Sequence, residues 1–466
     1  MATLQFLGAT RQVTGSCYLI ESDQGRILLE CGMTQENQRR KPTTDKTFLF
    51  DPKTIDAVVI SHAHIDHSGL LPKLIRDGFH GPVYTTPQTF ELMEIMLKDS
   101  AFIQQKNAEW KNRRSQRHGE ETVEPLYDLD DVEKTLGLIH TVEYGKKTQI
   151  HPDVEVCFND AGHIIGSSIV ELWVKDGPHK RKIVFSGDLG NKSDPLLQDP
   201  ELIKDAHVLL MESTYGDRNH RPLEDTLIEF QQILDEAMED GGNVFIPAFA
   251  VGRTQDLIFH LGRFYQHGTL KQQKVYLDSP MATAVSGIYA HNSQLYNDEH
   301  PHFNELIKGG WKKWLPILTF THNTEESMAL NKISGGAIII AGSGMCTGGR
   351  IMHHLKHNLW HKRSHIIFSG FQARGTVGRA LVEGAKHVKI MGEEFVVQAQ
   401  THTLGGLSAH AGQNELLAWA GQFHDQKPRL YLIHGELEKM LILQNELYER
   451  YGWHASIPTV KDKIKL

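Results

Sequence analysis

The sequence predicts an α/β protein in which an αββα sandwich is interrupted by an inserted α/β domain. Three observations point there. Short apolar strands with sparse helices run from the amino terminus to about Thr214, strand–helix alternation takes over from Tyr215, and the short-strand rhythm returns after about Val382. Two packed sheets flanked by helices account for the first and last patterns, and a mostly parallel sheet accounts for the middle one. The expected division is 1–214 and 385–466 for the sandwich, with 215–384 inserted.

Residues 4–7, 16–21 and 26–30 read as paired strands, with turn signals at Gly15 and 23–25. An apolar strand over 55–61 leads directly into a histidine-rich run. Helical patterning spans 86–114 and 128–138, and strands resume at 154–159, 169–174, 182–186 and 207–211. In the middle region, helix 223–239 precedes strand 243–247, helix 254–265 and strand 274–277. Strands 336–341 and 365–368 each end in a glycine-bearing loop and a helix. Short strands at 388–390, 394–402 and 429–434 then close the sandwich. The charged stretch 106–124, with Lys111, Arg113, Arg114 and Arg117, reads as a solvated helix and loop, and the stripe 90–97 as a core face.

With 466 residues the chain can build two or three domains, each with its own core. A hydrophobic share of 40% and a charged share of 23% describe an ordinary globular protein. No apolar run is long enough to span a bilayer, so no membrane partner is expected. The first residues lack the basic start, apolar stretch and cleavage site of a signal peptide. Cys17, Cys31, Cys157 and Cys346 are scattered without CxxC spacing, which argues against a disulfide framework or a thiolate zinc site and for a cytoplasmic location. The net charge of −8 excludes diffuse attraction to nucleic acid; a polyanion would have to meet a focused groove and bound metal.

The chemistry starts at His62-Ala63-His64-Ile65-Asp66-His67. A strand that continues extended past Ser61 puts His62 and His64 on one side, and Asp66 and His67 face another way as the chain turns into a helix. Imidazole suits zinc, and the carboxylate extends the site toward a second ion. His163 and Asp188 sit at strand exits flanked by glycines that let the backbone approach closely. Taken singly, an Asx turn for Asp188 and a capping role for His163 stay open. His434 likewise follows a strand, whereas His410 by itself reads as a residue at a helix start. His353, His354, His357 and His361 lie at helical spacing and read as an exposed or interface face.

Together these residues resemble the metallo-β-lactamase superfamily, and the inserted domain is similar to that of its β-CASP branch of RNA-processing nucleases. That branch includes the endonuclease subunit of the mRNA cleavage and polyadenylation factor and its bacterial and archaeal counterparts. The likeness runs over essentially the whole chain. It includes Met211-Glu212-Ser213-Thr214-Tyr215-Gly216, Pro247-Ala248-Phe249-Ala250-Val251-Gly252-Arg253, Ser343-Gly344-Met345 with Gly348-Gly349-Arg350, and Gly370-Phe371-Gln372-Ala373-Arg374-Gly375-Thr376.

The resemblance implies two zinc ions, with ligand type alone leaving manganese open. His62, His64 and His163 would hold one, Asp66, His67 and His434 the other, and Asp188 would bridge them. It further implies catalytic roles for Asp66, Glu212 and His410, with His410 as proton donor or phosphate contact. A histidine at 434 is the mark of RNA-directed members, where DNA-directed ones carry an apolar residue. One position departs from the pattern: Glu30 stands where the family has an aspartate that orients the ligands. The added methylene either shifts the backbone or weakens that role.

The implied activity is hydrolysis of phosphodiester bonds in single-stranded RNA, in endonuclease or 5′ exonuclease mode, by a metal-bridging hydroxide attacking in line. In the inserted domain Ser343, Gly344, Gly348, Gly349 and Arg350 form a strand-to-helix loop suited to a phosphate, with Arg253, Arg374 and Arg379 as further cations. A plain tight turn, or an acid partner for Arg253, is the competing reading. GxGxxG spacing with its downstream acid is absent, which excludes a dinucleotide fingerprint. Two other functions compete: a small-molecule hydrolase acting on a thioester or lactam, which needs no second domain, and a non-catalytic RNA-binding subunit, which would not need every ligand position filled. Neither terminus carries a separate RNA-binding module, so specificity is expected to draw on a homodimer or a partner.

Overall fold

Every side chain of the strand Val208–Glu212 is buried, and its faces serve different cores. Val208 and Leu210 point into the layer between two sheets, and Leu209 and Met211 into a layer under helices. That alternation is the period of a strand covered on both faces, and it is what an αββα sandwich requires. The computed structural model describes residues 1–34, 47–119, 121–192 and 194–466. It divides into two units, Met1–Lys192 with Gln198–Asn219 and His410–Leu466, and Ser193–Leu197 with His220–Ala409.

The first unit holds two seven-stranded sheets. One runs Lys463–Lys465, Thr3–Phe6, Tyr18–Glu21, Arg26–Leu29, Ala57–Val59, Val83–Thr85 and Ile139–Thr141; the other runs Ala455–Ser456, Arg429–Ile433, Val208–Glu212, His179–Phe185, Ser168–Asp176, Val154–Asp160 and Thr148–His151. Phe6, Tyr18, Leu29 and Val59 from the first meet Phe158, Leu172, Phe185 and Leu210 from the second. Burying each such side chain contributes roughly 1.5–3 kcal/mol. Helices Gln413–Ala420 and Leu437–Tyr451 close the outer face through Leu416, Leu417, Met440, Leu443 and Leu447. Local signals set the helix ends. Thr86 caps Pro87–His118, Gly119 ends it at φ 68°, and Asp128 with Asp131 forms a capping box on Leu129–Leu136.

The second unit is a six-stranded parallel sheet in the order Leu318–Phe320, Lys274–Asp278, Ala337–Ala341, Val244–Pro247, His365–Phe368, Gln400–Thr403. The apolar runs at its centre are buried on both faces, as parallel sheets demand. Here the structure departs from the expected division. Residues 385–409 belong to the inserted unit, because Gln400–Thr403 pairs in parallel with His365–Phe368. A short strand has the same sequence pattern in either sheet, and only its pairing assigns it. Helices Pro280–His291 and Thr324–Leu330, capped by Ser279 and Asn323, and the strand Leu318–Phe320 add to the expected elements. The side chains of Arg114 and Arg117, expected on a solvated face, lie outside the described residues. Among the described residues no helix is long and apolar enough to cross a membrane.

Candidate metal centre

The buried strand Ala57–Val59 continues through buried Ile60 and Ser61 into His62. His64 has extended backbone (φ −55°, ψ 144°) ahead of the short helix Ile65–Ser68, so Asp66 and His67 come round on its single turn. The remaining donors arrive at strand exits. His163 follows Val154–Asp160, Asp188 follows His179–Phe185, and His434 follows Arg429–Ile433. Strands His179–Phe185, Val208–Glu212 and Arg429–Ile433 lie side by side and parallel, so Asp188, Glu212 and His434 leave the sheet at the same end. Gly162, one residue before His163, has φ +64°, and a Cβ there would lie 2.4 Å from the Gln198 carbonyl oxygen. His434 itself adopts φ +50°, its N–H donating to the Ala9 carbonyl at 2.8 Å.

All seven expected metal donors therefore converge. His62 Nε2 and His163 Nε2 lie 3.1 and 3.2 Å from His64 Nδ1, and His67 Nε2 lies 3.2 Å from His434 Nε2. Asp188 stands between the two groups. Its Oδ2 is 3.5 Å from His62 Nε2 and 3.7 Å from His163 Nε2, while its Oδ1 is 3.5 Å from His67 Nε2 and 3.4 Å from His434 Nδ1. Asp66 Oδ2 is 3.5 Å from His434 Nε2. The donor atoms of His62, His64, His163 and Asp188 cluster within 4.8 Å, as do those of Asp66, His67 and His434.

These residues fit a pair of divalent metals. Two nitrogens on one tetrahedral zinc stand about 3.3 Å apart, close to the spacings here. Asp188 Oδ1 is buried without a hydrogen-bond partner, a polar atom that an ion would satisfy. Burial holds His62 well below its usual value and pushes His64 down to about 4, so both rings are neutral donors. Burial opposes charge on Asp66 as well, but the hydrogen bond to His434 and the charges of His67 and His434 together outweigh it and bring the carboxyl to about 2. Asp188, against its own burial, is held well below the carboxylate range by His434, His67 and His62. His67, though desolvated, is raised well above its ordinary value by Asp188 and Glu30, and so holds a proton that a bound metal would displace.

Glu30 adopts a left-handed backbone, φ +65°. Its Oε1 accepts from Ser61 N–H at 2.6 Å and its Oε2 from the Ser61 hydroxyl at 2.9 Å. His67 Nδ1 lies 2.5 Å from Oε2, which turns Nε2 toward Asp188. Glu212 is buried and accepts from the Leu189 and Thr214 N–H groups at 2.7 and 3.2 Å. His410 stands before the helix Gln413–Ala420, its Nδ1 3.3 Å from Glu212 Oε1 and its ring 4.5 Å from that of His163. Ser61 and Thr214, whose hydroxyl lies 3.2 Å from His434 Nδ1, lie outside the expected set and orient its members. The sequence signal for Ser61 is its adjacency to His62, and Thr214 lies in the run Met211-Glu212-Ser213-Thr214-Tyr215-Gly216.

In the second unit, Ser343 closes its own loop: its hydroxyl accepts from the Thr347 and Gly348 N–H groups at 3.0 and 3.2 Å. Those two donors are therefore turned inward, while Gly349 and Arg350 begin the helix Gly349–Asn358. Arg350 Nη1 donates to Asp278 Oδ1 at 2.6 Å, and Arg253 Nη1 to Asp256 Oδ2 at 3.3 Å, the acid pairing that competed with a substrate role for Arg253. Arg379 pairs with Glu383. Arg374 is exposed and has no ion pair among the described residues. His354 departs from its expected exposed face. It is buried, with Nε2 2.6 Å from Asp278 Oδ2, because its turn of helix faces the strand Lys274–Asp278, while His353, His357 and His361 stay exposed.

Three family models match parts of the chain: the metallo-beta-lactamase superfamily over residues 10–145, the Beta-Casp domain over 254–381, and the Zn-dependent metallo-hydrolase RNA specificity domain over 395–458. Ribonuclease TTHA0252 of Thermus thermophilus is 42% identical over 439 residues, 94% of each chain. The chain belongs to the β-CASP RNA nucleases of the metallo-β-lactamase superfamily. Transcription termination factor FttA of Thermococcus kodakarensis is 32% identical, covering 99% of this chain and 70% of its own. Among solved structures, an Enterococcus faecalis V583 protein of unknown function matches with a TM-score of 0.54 at 14% identity, over 100% of both chains, a likeness of fold alone. For a β-CASP nuclease, the converged histidines and carboxylates are the expected seat of a metal cofactor.

Proposed function

We propose that this β-CASP protein is a zinc-dependent ribonuclease that hydrolyses phosphodiester bonds of single-stranded RNA. One zinc would be held by His62, His64 and His163, the other by Asp66, His67 and His434. The position of Asp188 carries the reading: each of its oxygens faces a different histidine group, the arrangement of a bridging carboxylate. The Thermus ribonuclease, matched over 94% of both chains, supports RNA as substrate more directly than the termination factor, of which the chain spans 70%.

Metals held there supply a water ionised near neutral pH and positive charge for the phosphate oxygens. The chain's own residues do the rest. Glu212, fixed by two backbone N–H groups, holds His410 through Nδ1, which leaves Nε2 to carry a proton toward the leaving oxygen. Burial disfavours charge on His410, but Glu212, Asp188 and Asp66 outweigh it and raise its value to about 9. Glu30 keeps His67 facing the metals. Four unpaired cysteines fit a reducing, cytoplasmic setting.

Zinc-loaded protein incubated with end-labelled single-stranded RNA tests the reading. A ladder of internal cuts marks endonuclease action and stepwise loss from the 5′ end marks exonuclease action. Either must vanish with Asp66→Ala and after chelation. Intact RNA beside rapid thioester turnover would overturn it.

A further inference from the structure

We propose that Phe249 and Phe371 form a nucleobase-stacking platform on the inserted domain, with Arg374 as its phosphate contact. The proposal rests on the ribonuclease reading and adds to it a site that takes the flat faces of unpaired bases.

Three neighbouring parallel strands, Ala337–Ala341, Val244–Pro247 and His365–Phe368, send their following loops out at one end of the sheet. Carboxyl ends of parallel strands are where α/β folds bind ligands. The loops interlock. The Phe249 ring rests on Gly344, where a Cβ would lie 2.8 Å from ring carbon Cδ2, so no larger residue fits under it. Gln372 donates through Nε2 to the Gly344 carbonyl at 2.9 Å, tying the third loop to the first. Phe249 is thereby backed by main chain and yet 44% exposed, and Phe371, next to the anchored Gln372, is 60% exposed.

That exposure is unusual in this chain. Phe158, Phe185, Phe245, Phe259, Phe303 and Phe368 are buried to within 1%, and Phe102 is the other phenylalanine among the large exposed hydrophobics of the described residues. Isolated exposed apolar residues are ordinary, but these two stand on loops tied together through Gly344. Arg374, three residues beyond Phe371, is exposed with no ion pair among the described residues, whereas Arg253 and Arg350 are engaged by Asp256 and Asp278. Rigid aromatic faces beside a free guanidinium are how sequence-tolerant sites hold single strands: bases stack on the rings while the cation meets the backbone. An apolar protein partner would have no use for the unpaired arginine.

The test uses the full-length zinc enzyme and two single-stranded RNAs, one normal and one with abasic spacers at successive positions. Phe249→Leu and Phe371→Leu keep apolar bulk and remove the π face. Stacking of this kind is worth about 5- to 100-fold in affinity per base. Each variant is expected to raise KM for normal RNA by that order, with kcat falling far less and zinc content and unfolding midpoint unchanged. Wild-type enzyme should show the combined penalty of both stacks on the abasic RNA, and the double variant Phe249→Leu/Phe371→Leu little further loss there. Equal KM for wild type and variants on normal RNA, or an added abasic penalty that persists undiminished in the double variant, would overturn the platform while the ribonuclease stands. Failure of the wild type to cut any RNA would instead remove the reading on which the platform rests.

Discussion

His410 Nδ1 lies 3.3 Å from Glu212 Oε1, and that carboxylate is pinned in turn by the Leu189 and Thr214 N–H groups. The carboxylate cannot swing away without orphaning a buried and a part-buried backbone donor, so it fixes the ring it holds. His410→Ala is expected to lower kcat by about 10²- to 10⁴-fold with metal content unchanged. Glu212→Gln should follow in the same direction. Zinc analysis beside single-turnover rates checks it; zinc lost in step with activity would make His410 a ligand.

Glu30 satisfies Ser61 and His67 at once, from a left-handed backbone. Glu30→Gln keeps the reach and removes the charge that orients His67. Zinc affinity should drop about 10- to 100-fold, read by competition with a chromophoric chelator. Unchanged affinity would mean that Ser61 and Asp188 suffice to hold the ring.

Asp278 is a buried hub that accepts from Arg350, His354, Thr321 and Ser327. Despite burial, these donors hold its carboxyl well below the usual range. Asp278→Ala strands a guanidinium and an imidazole, a loss of about 3–5 kcal/mol. Urea unfolding should show it as a lowered midpoint for the inserted unit.

Asp256 gives a pH signature. Burial and the neighbouring Asp194 raise its carboxyl to about 8, with Arg253 opposing. Its unfolded value is about 3.9, so between about pH 4 and pH 8 the folded state binds the extra proton and stability falls as pH rises. Asp256→Asn should therefore gain stability over wild type at pH 8 and differ little at pH 5. Chemical denaturation at the two values decides it, and parallel profiles would refute the protonated assignment.

Much of this was legible along the chain because its signals are local. Six residues spelling two histidines, an aspartate and a third histidine after an apolar strand carry the metal chemistry within one turn of chain. Alternating burial in Thr3–Phe6 and the fully apolar, fully buried Ala337–Ala341 announce two kinds of sheet. Asp128 and Gly119 mark helix ends by their own side chains or lack of one.

The rest depends on pairing between distant segments, which no local pattern encodes. Strand Gln400–Thr403 joins the inserted sheet because its hydrogen bonds find His365–Phe368. Arg253 and Arg350 meet Asp256 and Asp278 and His354 turns inward, so of the three arginines Arg253, Arg350 and Arg374 it is Arg374 that is left exposed without an ion pair among the described residues. By itself the sequence determined that metal donors follow a buried strand and that an α/β domain interrupts a sandwich. Tertiary structure decided that the two oxygens of Asp188 face two histidine groups, because parallel strands deliver residues separated by hundreds of positions to one end of a sheet.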